Sequence, residues 1–547
     1  MIRDDLIAPI SELLERQAQR YPDKTAFSDA RRSIRFAELD EATRNLATHL
    51  RGGGLNDGEA VAIWLPNSVE WVIACLAAIR ARGIAVPISF DATQSEVGYR
   101  LGDAQCRVVI TKDKRDGDVS ELAGEVASLK TRILLSGESG GSQNIQQGGV
   151  LGGLQSLTSR ILGGGQGAAW QGDFDHLCAA PLAGVELAPD DLDVCSSIFY
   201  TSGTTGQPKG VMVSSRRLLW STAACWAPIL DMGPDDRVLT PLPMFHIFSQ
   251  TVAVLTPLAT GASTHVMDRF SVSGAIDLLK SGEFTFFPAV PTMFHYILLE
   301  GGKHGTDLFA GIRLCASAGA IMPATLNRDF EQTFGVEVID GYGTTETSAM
   351  VTMNWPGQQR YAGSCGLPIP GLAARIVDPA TGIDVDFGDE GELICRGPNL
   401  MLGYNRKPEE TAKVIRNGWY HTGDLARSDQ SGFLTVTGRL KEIIIRGGQN
   451  IAPAEVEETI TAIDDVMDCA VVGIPHETLG EAAYAFVVGH DGKSIDPEAV
   501  KAHCAATLSA YKVPEEVRFI EQIPRTGSGK IMRFKLQELV NGPNDVQ

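Results

Sequence analysis

The sequence predicts an α/β protein with parallel strands, followed by a smaller α+β module at its C-terminal end. Two observations carry this. Short apolar strands alternate with helical segments over the first hundred residues, and again from residue 187 to about 437. Beyond Lys441 the pattern becomes a compact set of short strands with intervening helices. In order, residues 11–16 open an amphipathic helix, 59–64 form an apolar strand, 68–82 a mostly buried helix and 85–88 the next strand. Residues 137–167 differ. They are rich in glycine, serine and glutamine, and read as a flexible surface insertion with a short helix near 154–162. A tolerated insertion is favoured there over a lid or docking loop. In the C-terminal module, 443–445, 470–474 and 483–488 are strands. Residues 454–463 are a helix with Pro453 at its start and acids in its early turns.

The 547 residues correspond to three or four domain-sized units at ~150 residues each. A hydrophobic share of 44 % with 21 % charged residues is that of an ordinary globular protein. The formal charge of −20 disfavours nucleic acid and anionic membranes as general partners. Any site for a polyanionic ligand must therefore supply its own local positive charge. None of the 10 cysteines has C-x-x-C spacing, and Cys75, Cys195, Cys225 and Cys315 read as small buried hydrophobes of a reducing compartment. The N-terminus lacks a signal-peptide pattern, and the apolar run from Trp71 is cut by Arg80 and Arg82. A cytoplasmic protein without stable membrane insertion is expected.

Five motifs carry the chemistry. The first, Tyr200-Thr201-Ser202-Gly203-Thr204-Thr205-Gly206-Gln207-Pro208-Lys209-Gly210, follows an apolar strand over 194–199. Such a loop offers backbone N–H groups and hydroxyls to one anion, and Lys209 adds a point charge. It is not a Walker A loop. The second, Asp340-Gly341-Tyr342-Gly343-Thr344-Thr345-Glu346, combines glycines that allow close approach, an aromatic face and a hard carboxylate suited to Mg²⁺. The third is Trp419-Tyr420-His421-Thr422-Gly423-Asp424-Leu425, whose Asp424 is a natural acceptor for paired hydroxyls. The fourth is Gly438-Arg439-Leu440-Lys441-Glu442 with Gly447-Gly448-Gln449-Asn450-Ile451, and the fifth is Pro524-Arg525-Thr526-Gly527-Ser528-Gly529-Lys530-Ile531. His421 reads as structural.

Together and in this order, the motifs resemble those of the adenylate-forming enzymes: acyl-CoA synthetases, luciferases and peptide-synthetase adenylation domains. The resemblance is nearest to fatty-acyl-CoA synthetase-like acid–thiol ligases. It implies a large N-terminal domain (1–438) of α/β subdomains with mixed sheets and a small β-barrel-like part. A hinge at 439–441 and a small mobile α+β domain (442–547) follow. It implies ATP, Mg²⁺ and coenzyme A as cofactors. The phosphates would lie against Thr201, Ser202, Gly203, Thr204, Thr205 and Lys209, and the α-phosphate against Thr345. The adenine would lie between Gly319-Ala320 and the Asp340-Gly341-Tyr342-Gly343 segment, the ribose on Asp424 and Arg439, and Mg²⁺ on Glu346. Lys530 is the implied catalytic lysine, bridging the acid and the α-phosphate, and Lys441 the hinge. Gly447, Gly448 and Arg446 would border the coenzyme A channel, with His246 as its gate.

The resemblance implies an acyl pocket containing Phe245, Phe248, Val252, Val290, Ala318 and Met350. These residues bring no lysine or arginine, so an apolar acid is expected: a medium or long fatty chain, an aromatic acid or a bulky lipophilic one. An acyl-AMP ligase loading a carrier protein in trans, a luciferase-like oxygenase and an inactive nucleotide sensor are the alternatives. The family implies a possible homodimer.

Overall fold

A computed structural model of the chain describes residues 2–136, 170–201, 207–361, 363–447, 449–476, 478–490, 495–526 and 530–541. The expected insertion at 137–167 lies outside them. The chain divides into two compact units. The first comprises Met1–Pro288, Thr344–Ala349 and Pro398–Lys413, and the second comprises Ala289–Gly343, Met350–Gly397 and Val414–Gln547.

The first unit is built on the expected α/β pattern. Strands Ala60–Trp64 and Ile84–Pro87 are parallel neighbours, with Ala60 opposite Ile84. Between them, helix Val69–Arg80 is buried along its whole length. The Ser68 hydroxyl caps it by accepting from the Trp71 N–H at 3.2 Å. Its last residue, Arg80, is 3 % exposed and is neutralised by Asp40 at 2.7 Å. Cys106–Lys112, Thr131–Leu135 and Trp170–Asp173 extend the parallel set on one side. On the other side the direction reverses. Cys195–Thr201 runs parallel to Ile84–Pro87 but antiparallel to Lys209–Ser214, which pairs with the two-residue edge strand Gly403–Tyr404. The result is a mixed eight-stranded sheet. A second run orders Phe286–Ala289, Arg237–Thr240, Ser263–Val266, Thr25–Ser28 and Ser33–Arg35.

In the second unit, Leu314–Ser317 and Val338–Tyr342 are parallel, and Thr352–Met353 and Leu367–Pro368 continue antiparallel. The expected small β part is a five-stranded antiparallel sheet: Ala373–Val377, Gly391–Arg396, Trp419–Ser428, Ile415–Arg416 and Leu434–Arg439. Its core is Cys365, Ile376, Leu393, Ala426 and Leu434.

The C-terminal sheet orders Gln449–Ile451, Ile444–Arg446, Gly480–Gly489 and Val466–His476, with Glu516–Phe519 parallel to Gly480–Gly489. Its long hairpin shows why the segment folds as a two-faced layer. Cys469 and Val471 point to one core with Val456, Ile460, Val500 and Cys504 of helices Pro453–Thr461 and Pro497–Thr507. The intervening Ala470, Val472 and Ile474 point to the other with Leu536 of helix Arg533–Asn541. The hairpin strands are longer than the apolar stretches 470–474 and 483–488 suggest, because backbone pairing continues past them, to His476 opposite Gly480.

All ten cysteines are free, and eight are buried; Cys195, expected buried, is half-buried, as is Cys178. Burial raises the thiol pKa of nine of them, to about 12 for Cys75, Cys195 and Cys365. Among the described residues, no helix is long and apolar enough to cross a membrane.

One arginine ties the C-terminal layers together. Arg533 bonds Glu442 at 3.0 Å, Glu457 at 2.5 Å and the Val471 carbonyl at 2.8 Å, with 18 % of its side chain exposed. Arg533→Met leaves two carboxylates short of a partner and is expected to destabilise this layer by about 2 kcal/mol. Hydrogen exchange of the Val466–His476 amides checks it: protection should fall there and hold in the first unit.

Candidate active site

In the first unit, the phosphate-loop motif closes an antiparallel hairpin in which Thr201 stands opposite Lys209. The loop is anchored on both sides: Tyr200 donates to Asp103 at 2.7 Å, and Tyr99 to the Pro208 carbonyl at 2.9 Å. A Cβ at Gly210 would come within 2.9 Å of Ile198 and 3.2 Å of Tyr200, so a larger residue there would have to push these side chains aside. Ser202, Gly203, Thr204 and Thr205 lie outside the described residues. Lys209, expected as a mobile charge, is held by Glu410 at 2.6 Å and lies 5.0 Å from the ring centre of Tyr404. Lys413 also binds Glu410. Both lysines hold the Glu410 carboxyl down, to about 2.

Thr345 and Glu346 belong to the same unit, on a short turn stabilised by Thr344 N–H donating to Thr347 Oγ1 at 2.9 Å. Tyr404 donates its hydroxyl to Glu346 Oε1 at 2.9 Å, and the Met401 N–H donates to the Glu346 carbonyl at 2.7 Å. The turn ends on Ser348 and Ala349, both at positive φ (50° and 89°), the latter a strained position for a residue with a Cβ. His246 is half-buried, immediately before helix Ile247–Ser249, with its ring 5.3 Å from that of Phe245. Phe248 and Val252 follow it, and Phe248 packs on the buried Trp226 at 5.8 Å. Both segments contain a π-helical stretch, Thr222–Trp226 and Gln250–Leu255, that the sequence pattern does not announce.

The second unit assembles Tyr342, Asp424 and Arg439. Asp424 is 5 % exposed in its side chain and receives the Tyr342 hydroxyl on Oδ2 and Arg439 Nε on Oδ1 at 2.8 Å. The strands dictate this: Asp424 and Arg439 are register partners across the antiparallel pair. The Asp424 carboxylate holds the Arg439 pKa above its ordinary value, and burial together with Asp424 does the same for the Tyr342 hydroxyl. Glu392, which sequence reasoning missed, sets the turn that aims Asp424. It accepts from the Gly423 N–H at 3.1 Å and bonds His421 Nδ1 at 2.8 Å, so His421 is structural as expected. An acid ahead of the apolar run 393–395 in the strand Gly391–Arg396 was the available signal.

Gly319 sits at φ +89°, with its missing Cβ 3.5 Å from Val290; Gly319 and Ala320 are exposed and Ala318 is buried. A Cβ on Gly341 would lie 2.8 Å from Met350, Met353 and the Thr352 carbonyl. Gly343 is half-buried. Phe245, Phe248 and Val252 thus belong to the first unit, and Val290, Ala318 and Met350 to the second. Lys441 is exposed in the turn after Arg439, and Gly447 takes φ +57°. Gly448 lies outside the described residues. Arg446 is committed elsewhere in part, donating to the Tyr511 and Val513 carbonyls and pairing with Glu515. Lys530 is exposed where its loop closes, with Thr526 N–H donating to the Lys530 carbonyl at 2.8 Å. Arg525, at the base, is pinned by Asp468 at 2.8 Å.

Residues 14–405 match the model of the AMP-binding enzyme family, and residues 455–530 that of the AMP-binding enzyme C-terminal domain. The chain belongs to the AMP-binding enzyme family. A long-chain-fatty-acid–CoA ligase of Yersinia pestis is 31 % identical to it, covering 98 % of this chain and 95 % of the relative. A sulfoacetate–CoA ligase of Cupriavidus necator is 32 % identical, over 96 % and 97 %. The crystal structure of ATP-bound MatB from Rhodopseudomonas palustris superposes with a TM-score of 0.85 at 28 % identity, covering 97 % of this chain and 99 % of that one. This AMP-binding enzyme is an acid–thiol ligase.

The residues present fit a nucleotide and its metal. Asp340 is buried, and neither its Oδ1 nor the hydroxyl of Ser317, its register neighbour, makes a hydrogen bond of ordinary geometry among the described residues. Such an acceptor suits an amino group on a bound base. The Glu346 carboxylate, with Oε1 bonded by the Tyr404 hydroxyl, is a hard donor of the kind that holds Mg²⁺ together with substrate phosphates and water. Burial pushes the Asp340 carboxyl up to about 8 from an ordinary 3.8, with the Ser317 hydroxyl and Gly341 amide only partly offsetting it. Between these values the unfolded chain releases a proton that the folded one keeps. Stability of the ligand-free protein therefore falls as pH rises through that window, by at most about 1.4 kcal/mol per pH unit. Asp340→Asn should flatten this slope, measured as denaturation midpoints at pH 5 to 8; an unchanged slope would refute the assignment.

Proposed function

We propose that this ligase activates an apolar carboxylic acid as its acyl-adenylate, with release of pyrophosphate, and transfers the acyl group to coenzyme A. The observation that carries the reading is the buried Asp424 carboxylate. It is held by Tyr342 and Arg439 and is a preset acceptor for a ribose diol.

In the first step a carboxylate oxygen of the acid attacks the α-phosphorus of ATP. The bond to the bridging oxygen breaks, and pyrophosphate leaves with the electron pair. The barrier is the approach of one anion to another, so the task of the protein is charge neutralisation in a preorganised site. In this reading Lys209 serves the phosphates, Thr345 the α-phosphate, and Lys530 bridges the acid and the α-phosphate. Glu346 would hold Mg²⁺, which would supply positive charge to offset that of the polyphosphate. In the second step the thiol sulfur attacks the acyl carbon and AMP departs, with His246 at the junction of acyl pocket and thiol channel.

The acid class rests on the six pocket residues, all apolar. A second carboxylate or a sulfonate would be a buried charge without a partner. The fatty-acid relative agrees with this; the sulfoacetate relative would need a cation that these positions do not offer.

Two anchors support a hinge at 439–441. Arg439 is fixed to Asp424, and the Leu440 N–H donates to the Gly423 carbonyl, on one side; Glu442 is fixed to Arg533 on the other. Lys441 lies between them, and rotation there moves 442–547 as a body. The free, mostly buried thiols fit a cytoplasmic location.

Acid-dependent ATP–pyrophosphate exchange over a panel of carboxylic acids tests the first step. Exchange is expected with apolar acids and should fall at least ~100-fold in Lys530→Ala. No exchange with any apolar acid, despite ATP binding, would overturn the reading. Lys441→Pro is expected to slow thioester formation, followed by loss of free thiol, far more than exchange; equal slowing of both would move the pivot elsewhere.

A further inference from the structure

The geometry points to Tyr404 as a positioning residue for the metal–phosphate half of the site, orienting the Glu346 carboxylate through its hydroxyl while its ring face carries Lys209. The inference rests on the reading of Glu346 as the Mg²⁺ ligand.

Strand register brings the parts together. Tyr404 pairs with Val211 on the edge of the eight-stranded sheet, two residues beyond Lys209, so Lys209 lies on the same face as the Tyr404 partner. Tyr404 is 6 % exposed and its backbone is fixed, with its N–H donating to Thr411 Oγ1 at 2.9 Å. Its hydroxyl donates to Glu346 Oε1 at 2.9 Å, and the Lys209 ammonium sits 5.0 Å from its ring centre. Three residues before Tyr404, Met401 holds the Glu346 backbone. A carboxylate with one oxygen occupied by a rigid donor presents the other in a set direction, which is how outer partners tune metal ligands. The same ring is an electron-rich platform under a cation that must later meet phosphate. One buried side chain thus sets the spacing between a metal ligand and a phosphate-binding cation.

Tyr404→Phe keeps the ring and deletes only the hydroxyl. Mn²⁺ binding is measured by electron paramagnetic resonance on the full chain, with a non-hydrolysable ATP analogue and no acid. Tyr404→Phe should weaken Mn²⁺ at least about tenfold, with a thermal midpoint near that of wild type. Glu346→Gln should also weaken it, and the double variant should be no weaker than Glu346→Gln alone. Tyr404→Leu, which also removes the platform, should further weaken the analogue itself. Wild-type Mn²⁺ affinity in Tyr404→Phe, with a clear loss in Glu346→Gln, would overturn the role of Tyr404 alone. Wild-type affinity in Glu346→Gln would overturn the metal reading and the inference with it.

Discussion

The structure depends on one electrostatic constraint: a protein of net charge −20 must hold polyanions. Three cations in the proposed machinery or at its base are kept beside carboxylates. Lys209 rests on Glu410, Arg439 on Asp424 and Arg525 on Asp468. Such pairing lets positive charge be stored at a defined place without attracting ions indiscriminately or paying the full cost of burial unpaired. On the proposed reading, phosphate would compete with a resident acid, so affinity would reflect a difference between two ion pairs.

Rigid and adjustable parts are separated by this pairing. The Tyr342–Asp424–Arg439 group is built on strand register and backed by Glu392, so its geometry is inherited from a sheet. At the neck of the lysine loop, Arg525 pairs with Asp468 and the Thr526 N–H donates to the Lys530 carbonyl.

Much of this was legible in the sequence because the motifs are local. Residues 340–346 and 419–425 keep their chemistry within a few positions, and the strand and helix pattern of 59–88 is read directly from apolar spacing. What was not legible is long-range. Glu410 meets Lys209 across 201 residues, Tyr404 meets Glu346 across 58 and Glu392 meets His421 across 29. Nothing local distinguishes Glu410 from its neighbour Glu409, and Tyr404 lies on a strand of two residues, too short for any periodicity. The two π-helical stretches are likewise set by packing and leave no mark on composition.

The buried cysteines have a bearing on selectivity. An acyl-adenylate is indifferent to whose sulfur attacks it, and this chain carries ten sulfhydryls of its own. Because only the thiolate is a competent nucleophile, the low-dielectric surroundings that suppress ionisation of nine of them keep the protein from becoming its own acceptor. On the proposed chemistry, burial, usually credited to packing, would also protect the catalyst from its own reactive intermediate.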